Sequence, residues 1–497
     1  MPVNVTNAEE SLALDSAAIA SGIPSRALMR SAAFNAATVV CARYGIRMRQ
    51  GVTVFTGAGN NGGDGWALAG ALSAAGASVQ VREIAESVTP DAIAERAGLV
   101  HLLADNGVAA GVVVDAVAGT GARGKLREPL LSAAAEIAGA RKRGAEIVAL
   151  DLPSGVDASD GATEGCVVAD LTISFGSCKR GSLVSRGACG EIVIVDIGLP
   201  AGHTDLPQLI DAAFVRSAVP TIAADAFKGT RKSVAMVAGG ENMGGAAILA
   251  ATAALRSGVG LVQVITAPAN ISAMHTQIPE ALVAPLDKAY STIEHWADAV
   301  LIGPGLATDD RTREFIRDLV RRWRGPVVLD AGALTAFDEK LDLLGELLCG
   351  RPAIITPHPG ELSRLLGRDI SDVLANRFDI GTSVARQIGA TVILKGTPTV
   401  VFDPDGARFV VATGTPVLAT GGSGDALSGI VATLLAQGCQ PSASAACAAW
   451  IHGRAGELTP GIRGYRMSDV LEQLPAAWRL APSAPSYPVL VSLPAVA

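Results

Sequence analysis

Aromatic residues make up only 4% of this 497-residue chain, although hydrophobic residues reach 49%. Its cores must therefore be built from Ala, Val, Leu and Ile, as buried parallel strands covered by helices allow. Cysteine is scarce too. Seven thiols, Cys41, Cys166, Cys178, Cys189, Cys349, Cys439 and Cys447, form no CxxC pair and are odd in number. That argues against a disulfide framework or a zinc site and points to reduced, structural cysteines. No stretch reaches membrane-span length without a charge, Gly or Pro, and residues 1–10 lack a basic segment followed by an apolar run. A soluble, cytoplasmic protein without a membrane partner is the expectation. Lys and Arg number 40 against 47 Asp and Glu, for a net charge of -7, and form no basic stripe. Nucleic acid is not an expected partner. A P-loop, GxxxxGK[ST], is missing as well.

What the chain does have is most concentrated in residues 414–429, GTPVLATGGSGDALSG. Thr420, Gly421, Gly422, Ser423 and Gly424 precede Asp425, and an apolar helical pattern follows at once. Glycines let backbone N–H groups close around an oxyanion, and the positive end of the helix dipole points at the same spot. A lone carboxylate at such a rim is repelled by phosphate, so its natural task is to take a proton from a hydroxyl that attacks a phosphoryl group. The plainer alternative is a turn capped by Ser423, with Asp425 in the first helical turn for the sake of the dipole.

At this length two or three domains are expected. The first half opens with two helical patterns, Thr6 and Glu9 being spaced as a capping box for the first. Apolar runs follow at residues 52–55, 79–81, 112–114, 147–150, 171–175 and 192–195. Ala-rich helical segments separate the first four runs, which implies βα units on a mostly parallel sheet. Periodicity fades after Asp196 and returns near Lys232, placing a boundary at residues 207–220. Strands are then expected at residues 233–237, 261–265, 299–302, 327–329, 353–355 and 392–394, with helices at 245–257, 425–437 and 442–457. The Pro- and Ser-rich tail from residue 481 should pack loosely.

Three loops of the first half face one crevice, because ligands of open α/β sheets bind beyond the carboxyl ends of the strands. The first, GAGNNGGDG at residues 57–65, contains GxGxxG and is followed by Glu83 where a ribose-binding acid would sit. Asn60, Asn61 and Asp64 crowd it, however, and Asp64 lies where a pyrophosphate should approach, so a dinucleotide fingerprint is disfavoured. The second, DAVAGTGARGK at residues 115–125, carries Arg123 and Lys125, which could meet phosphates. In the third, DLPSGVD at residues 151–157, Asp151 ends a strand. Asn61, Asp115 and Ser154 supply hard oxygen donors suited to a group 1 or group 2 cation, unless the aspartates merely bond loop N–H groups.

GNNGGDG, the GTG loop after Asp115, DLPSGVD and TISFGSCKRG with Lys179 resemble, in that order, the YjeF N-terminal family of NAD(P)H-hydrate epimerases. The resemblance covers most of residues 1–200. It implies that hydrated NADH and NADPH (NADHX and NADPHX) are bound by Asn60, Asn61, Gly62, Gly63 and Asp64, by Gly119, Thr120, Gly121, Ala122, Arg123, Gly124 and Lys125, and by Asp151. It also implies a potassium ion (K+) held by Asn61, Asp115 and Ser154. Inverting the carbon that bears the hydroxyl needs an acid and a base, and Asp151 with Lys179 is the candidate pair; Lys179 as a solvated surface residue is the alternative.

In the second half, the small-residue helix of VAGGENMGGAAILAATAALRSGVGLV reads first as tight packing on a sheet. LIGPGL, VVLDAGAL, ITPHPGEL and ILKGTPTVV are strands that empty into Gly- or Pro-containing loops. His358, between two prolines, is either a ligand-facing or a helix-capping histidine, and Lys395, Gly396 and Thr397 could touch a nucleotide. With ATGGSGD, this series resembles the ribokinase-like superfamily and, within it, the ADP-dependent NAD(P)H-hydrate dehydratases, over about residues 225–475. By resemblance Ala246, Gly305, His358 and Asp425 face the hydrate, while Lys395, Gly396, Thr397, Pro398, Thr399 and Gly424 face ADP, accompanied by Mg2+. Asp425 would deprotonate the hydroxyl as it attacks the β-phosphate.

The expected architecture is α/β in two domains: a Rossmann-like three-layer α/β/α epimerase domain at residues 1–210 and a ribokinase-like α/β/α dehydratase domain at residues 221–480. A bifunctional nucleotide-repair enzyme, as a homo-oligomer, is the leading expectation. The alternative is an ATP-dependent kinase of a vitamin or sugar with an N-terminal nucleotide-sensing domain; a nucleotide-binding module without turnover is a third reading.

Overall fold

The computed structural model describes residues 2–104, 107–200, 205–294, 296–480 and 485–496. The chain divides into two compact units, Met1–Leu209 with Ser483–Ala497, and Ile210–Pro482.

In the first unit the strands are β1 (Val3–Thr6), β2 (Val52–Thr56), β3 (Val79–Glu83), β4 (Val112–Ala116), β5 (Glu146–Leu150), β6 (Leu171–Phe175), β7 (Cys178–Lys179), β8 (Glu191–Val195) and β9 (Gln208–Leu209). β3, β2, β4, β5, β6 and β8 lie side by side in that order, all parallel. Every residue of β2, β4 and β6 is buried, as expected of strands covered on both faces. On one face, Ala32, Ala36 and Val40 of helix Ser25–Tyr44 and Trp66 of helix Asn60–Ala74 pack with Val54 and Val114. On the other, Ile137 and Ala140 of helix Leu130–Lys142 meet Phe55, Val113 and Ile147. Parallel strands place all their carboxyl ends, and the three loops, on one side.

The chain's start differs from the sequence reading. β1 precedes the first helix and pairs with β7 in parallel and β9 antiparallel. Its Thr6 hydroxyl bonds Ser177 Oγ at 2.9 Å instead of capping a helix. The capping box is Asn7 with Glu10, one residue later: Glu10 N donates to Asn7 Oδ1 at 2.8 Å, and Asn7 N to Glu10 Oε2 at 2.8 Å.

The second unit holds β10 (Ser233–Val237), β11 (Leu261–Thr266), β12 (Leu282–Pro285), β13 (Ala299–Ile302), β14 (Val327–Leu329), β15 (Ala353–Ile355), β16 (Thr391–Leu394), β17 (Thr399–Phe402) and β18 (Arg408–Val411). The order is β12-β11-β10-β13-β14-β15-β16-β17-β18, parallel through β16 and antiparallel for the last two pairings. Helices Gly244–Arg256, Ser423–Ala436 and Pro441–Leu458 supply the apolar cluster on one face. Gly429 is required where two of them meet, because an added Cβ would stand 2.1 Å from Ala250 O. Periodicity left out the edge strand β12, the β17–β18 hairpin and helix Ala212–Ala218. These are short, so few residues carry the pattern; the 13-residue helix Asp310–Arg322 is also left out, although its apolar residues Ile316, Leu319 and Val320 do carry it.

The tail corrects an expectation. Residues 481–484 lie outside the described residues, but β19 (Val489–Leu493) runs antiparallel to β8, with Val491 and Leu493 buried. It completes the sheet of the first unit and covers the edge that β8 would otherwise present. No helix among the described residues is long and apolar enough to cross a membrane.

Candidate active sites

In the first unit a cavity of about 650 Å³ opens at the carboxyl ends of β2, β4 and β5. Asn60, Asn61, Asp64, Gly119, Thr120, Gly121, Ala122, Asp151 and Lys179 line it. Gly62 and Gly63 lie beneath the lining for steric reasons: a Cβ on Gly62 would stand 1.9 Å from Gly57 O, and one on Gly63 2.6 Å from Met29 Cε. Arg123, Gly124 and Lys125 do not line it. Arg123 reaches Glu9 at 3.1 Å, and Lys125 pairs with Glu164. Glu83, at the position of a ribose-binding acid, is taken by Arg96 at 2.6 Å.

Lys179 is buried, not a surface residue. Its Nζ lies 2.6 Å from Asp151 Oδ1 and donates to Phe175 O at 3.1 Å. Asp151 has the positive φ of 66° that a strand-to-loop reversal imposes; its Oδ2 accepts from Thr120 N at 3.1 Å and from the Thr120 hydroxyl. Burial alone would push the Asp151 carboxyl up, but the charge of Lys179 and the bonds from Lys179 and Thr120 outweigh it and hold the pKa below the ordinary value. Two further acids face the same space. Asp64 is driven well above the ordinary carboxyl value, first by burial and then by the negative charge of Asp151 and Asp15. Asp15, on helix Ala8–Ala20, lines the cavity and is raised first by burial. Sequence reasoning did not single out Asp15, because that helix carries no glycine loop or strand end to mark it.

Asp115 and Ser154 are in direct contact. Asp115 Oδ2 accepts from Ser154 N at 2.7 Å, Oδ1 from Ser154 Oγ at 2.6 Å and from Val117 N at 3.2 Å. The aspartates thus do bond loop N–H groups. Asn61 differs: both side-chain amide atoms are buried without a partner, while a Cβ on neighbouring Gly119 would stand 3.3 Å from Asn61 Oδ1. A buried amide oxygen without a donor is the polar atom that a bound cation satisfies.

In the second unit Gly422, with φ 89°, precedes helix Ser423–Ala436, and Asp425 lies in its first turn. Gly424 lies close to both charges: a Cβ there would stand 3.2 Å from Lys395 Nζ and 3.9 Å from Asp330 Oδ2. Lys395 Nζ lies 2.9 Å from Asp330 Oδ1 and 3.7 Å from Glu361 Oε2. Burial works against the Lys395 charge, but Asp330 and Glu361 raise its pKa above the usual lysine value. Asp425 is pushed up to about 6, first by burial and then by the charge of Asp330. Asp330 and Glu361 were not assigned from the sequence. Asp330 did carry the mark of Asp115 and Asp151, an acid at the carboxyl end of a buried strand.

His358 caps helix Pro359–Leu366, its Nδ1 accepting from Gly360 N at 3.0 Å and Glu361 N at 3.3 Å, and the ring stays half exposed. Ala246 and Gly305 adjoin: Gly305, with φ 66°, would bring a Cβ within 2.9 Å of Ala246 Cβ and 2.7 Å of Met243 O. Residues 396–399 form a turn beyond Lys395, where Thr399 Oγ1 donates to Gly396 O at 3.0 Å and Arg377 Nη1 to Thr397 O at 2.9 Å; Pro398 follows Thr397 through a cis bond. The Lys395 ammonium rests on Asp330, 3.2 Å from where a Cβ on Gly424 would stand.

Comparison with known proteins agrees with this division. The model of the YjeF-related protein N-terminus matches residues 25–181, and that of NAD(P)H-hydrate dehydratase matches residues 234–475. The bifunctional NAD(P)H-hydrate repair enzyme of Moorella thermoacetica is 36% identical over 92% of this chain and 93% of its own. That of Escherichia coli is 34% identical over 85% and 84%. A ribokinase-like superfamily protein from Enterococcus faecalis superposes with a TM-score of 0.50 at 27% identity, over 57% of this chain and 99% of its own. With both family models matched in order and full-length relatives aligned across both units, the chain belongs to the family of bifunctional NAD(P)H-hydrate repair enzymes.

Proposed function

We propose that the first unit interconverts the R and S epimers of NADHX and NADPHX, and that the second dehydrates the S epimer with ADP, releasing AMP and phosphate. The observation that carries the second step is Asp425, a carboxylate of raised pKa in the first turn of a helix behind Gly422 and Gly424. Asp425 takes the proton of the ring hydroxyl as its oxygen attacks the β-phosphorus, and AMP leaves with the electrons of the broken P–O bond. The helix N-terminus and Lys395 stabilise the charge that develops on the phosphoryl oxygens. The ring nitrogen lone pair then expels phosphate, and loss of a proton from the neighbouring carbon restores the dihydropyridine. Ala246, Gly305 and His358 are the surface for the hydrate; Gly396, Thr397, Pro398, Thr399 and Gly424 face ADP, which Mg2+ accompanies.

For epimerisation the charged pair is ready-made. Asp151, held ionised, is the base, and Lys179 the acid. Asn60, Asn61, Gly62, Gly63 and Asp64 with Gly119, Thr120, Gly121 and Ala122 form the binding loops, and Arg123, Gly124 and Lys125 extend them outside the cavity. Asn61, Asp115 and Ser154 would hold K+, which supplies positive charge between the loops. A K+-dependent rise in melting temperature that Asn61→Ala abolishes tests that assignment; an equal rise in Na+ or in the variant overturns it.

The whole reading is tested by supplying racemic hydrate and ADP and following NADH absorbance. Complete conversion is expected, whereas conversion that stops at half in the unaltered protein removes the epimerase assignment. No absorbance gain with ADP, together with phosphorylation of a stable sugar or vitamin by ATP, replaces the dehydratase by a kinase.

A further inference from the structure

Asp330 is 1% exposed and follows β14 directly, and the next residue, Ala331, takes a left-handed backbone with φ 46° that alanine rarely adopts. Ala331 N donates to Asp330 Oδ1 at 2.9 Å, and a Cβ on Gly303 would stand 1.7 Å from Asp330 O, so the main chain is wedged in place. Such a buried carboxylate is retained only where a partner compensates it, and here that partner is Lys395 at 2.9 Å. Glu361 is farther from the ammonium, at 3.7 Å, and its Oε2 also accepts from His358 N at 2.8 Å to close the cap of its own helix. Asp330 therefore sets where the ammonium stands. That place is against Gly424, at the first turn carrying Asp425.

We propose that Asp330 is a positioning residue for dehydration, anchoring Lys395 Nζ at the start of helix Ser423–Ala436, where phosphoryl group and base must meet. The inference rests on the ADP-dependent reading above. A free lysine would have to give up side-chain freedom each time a nucleotide arrives; one held in place by Asp330 has already done so. The same carboxylate balances the Lys395 charge that would otherwise draw the proton off Asp425. Asp330, Lys395 and Glu361 are the charged groups that face Asp425. Among nearby histidines, His358 has its pKa held down first by burial, and His452, 3.4 Å from Ser423 Oγ, is lowered to about 4 by burial and by Lys395.

The test is Asp330→Asn in the full chain, assayed on the S hydrate with ADP. Expected is a loss in kcat of roughly 10- to 100-fold with little change in KM for ADP. The acid limb of kcat/KM should also move to lower pH than in the wild type, because an unbalanced Lys395 stabilises ionised Asp425. Asp330→Glu, which keeps the charge but displaces it, should retain the limb while losing kcat, and it serves as the readout if the Asn variant fails to fold. In a Lys395→Gln background, Asp330→Asn should add no further loss. Unchanged kcat and limb in a folded Asp330 variant, or losses that multiply in the double variant, overturn the inference. Failure of the wild-type protein itself to regenerate NADH overturns the functional reading instead.

Discussion

Both units set a buried lysine against an acid at the carboxyl end of a parallel strand, Lys179 against Asp151 and Lys395 against Asp330, but the acids proposed as bases, Asp151 and Asp425, are tuned in opposite directions. In the first, Asp151 faces Lys179 at 2.6 Å and its pKa is held down, so base and acid stand side by side with charges matched. In the second, Lys395 is shared between Asp330 and Glu361, and Asp425 is lifted to about 6, first by burial and then by the negative charge of Asp330 that Lys395 only partly offsets. A matched pair suits a reversible inversion, in which a proton given on one side is taken on the other. A carboxylate raised to about 6 suits a one-way step, since a stronger base takes the hydroxyl proton more readily while staying ionised near neutrality. Fold class does not set this difference; burial and how closely a lysine approaches each acid do.

The sharpest way to break the comparison is to remove one base and read both activities. Asp425→Asn should lower dehydration by roughly 10²- to 10⁴-fold and leave interconversion of the epimers, followed by chromatography, unchanged. Loss of both would deny the units separate chemistry. Next, Asp151→Ala or Lys179→Ala should slow epimerisation by about 10²-fold or more, so that racemic hydrate converts quickly only to half. If neither variant is impaired, the acid and base lie elsewhere in the cavity, with Asp64 and Asp15 the next to test.

A stability difference should follow from the tail. Removing residues 489–497 exposes the buried partners of Val491 and Leu493, a loss of roughly 3–6 kcal/mol for two apolar side chains. The melting of the first unit should fall while the second is unaffected; an unchanged first transition would mean that β19 contributes nothing. The smallest effect concerns pH. The folded pKa of Asp425 is raised from 3.8 to about 6, so the folded state binds the proton more tightly and loses stability as pH rises between those values. Asp425→Asn should therefore melt higher than wild type above pH 6 and equally at pH 4; a gain that is the same at both would remove the electrostatic explanation.

Much of this was legible in the sequence, for identifiable reasons. Strands such as VVVDA and VTVF are apolar on both faces because the sheet is covered twice, and Gly57, Gly62, Gly63, Gly65 and Gly422 sit where a side chain would collide. Asp115, Asp151 and Asp425 stand out as acids attached to such elements. Asp15, Asp330 and Glu361 did not: the first lies on a helix with hardly any one-sided apolar pattern and no glycine loop or strand end beside it, and the others stand beside a more conspicuous neighbour. Lys179 left two readings open, solvated or buried, and only its packing against Phe175 O and Asp151 chooses between them. The first capping box was displaced by one residue because Thr6, itself a good cap, is drawn into a strand by its partners β7 and β9.

The sequence by itself determined which residues are glycine, which strands can be buried and in what order the motifs arrive, and these identify both halves of the chain. Those are local properties, set by sterics and by the apolar pattern of neighbouring positions. Tertiary structure alone decided that the last strand returns to the first unit, that Lys179 is buried, and that Lys395 answers to Asp330 as well as to the anion loop. Burial and charge–charge energies depend on distances between groups far apart in the chain, and no local pattern contains those distances.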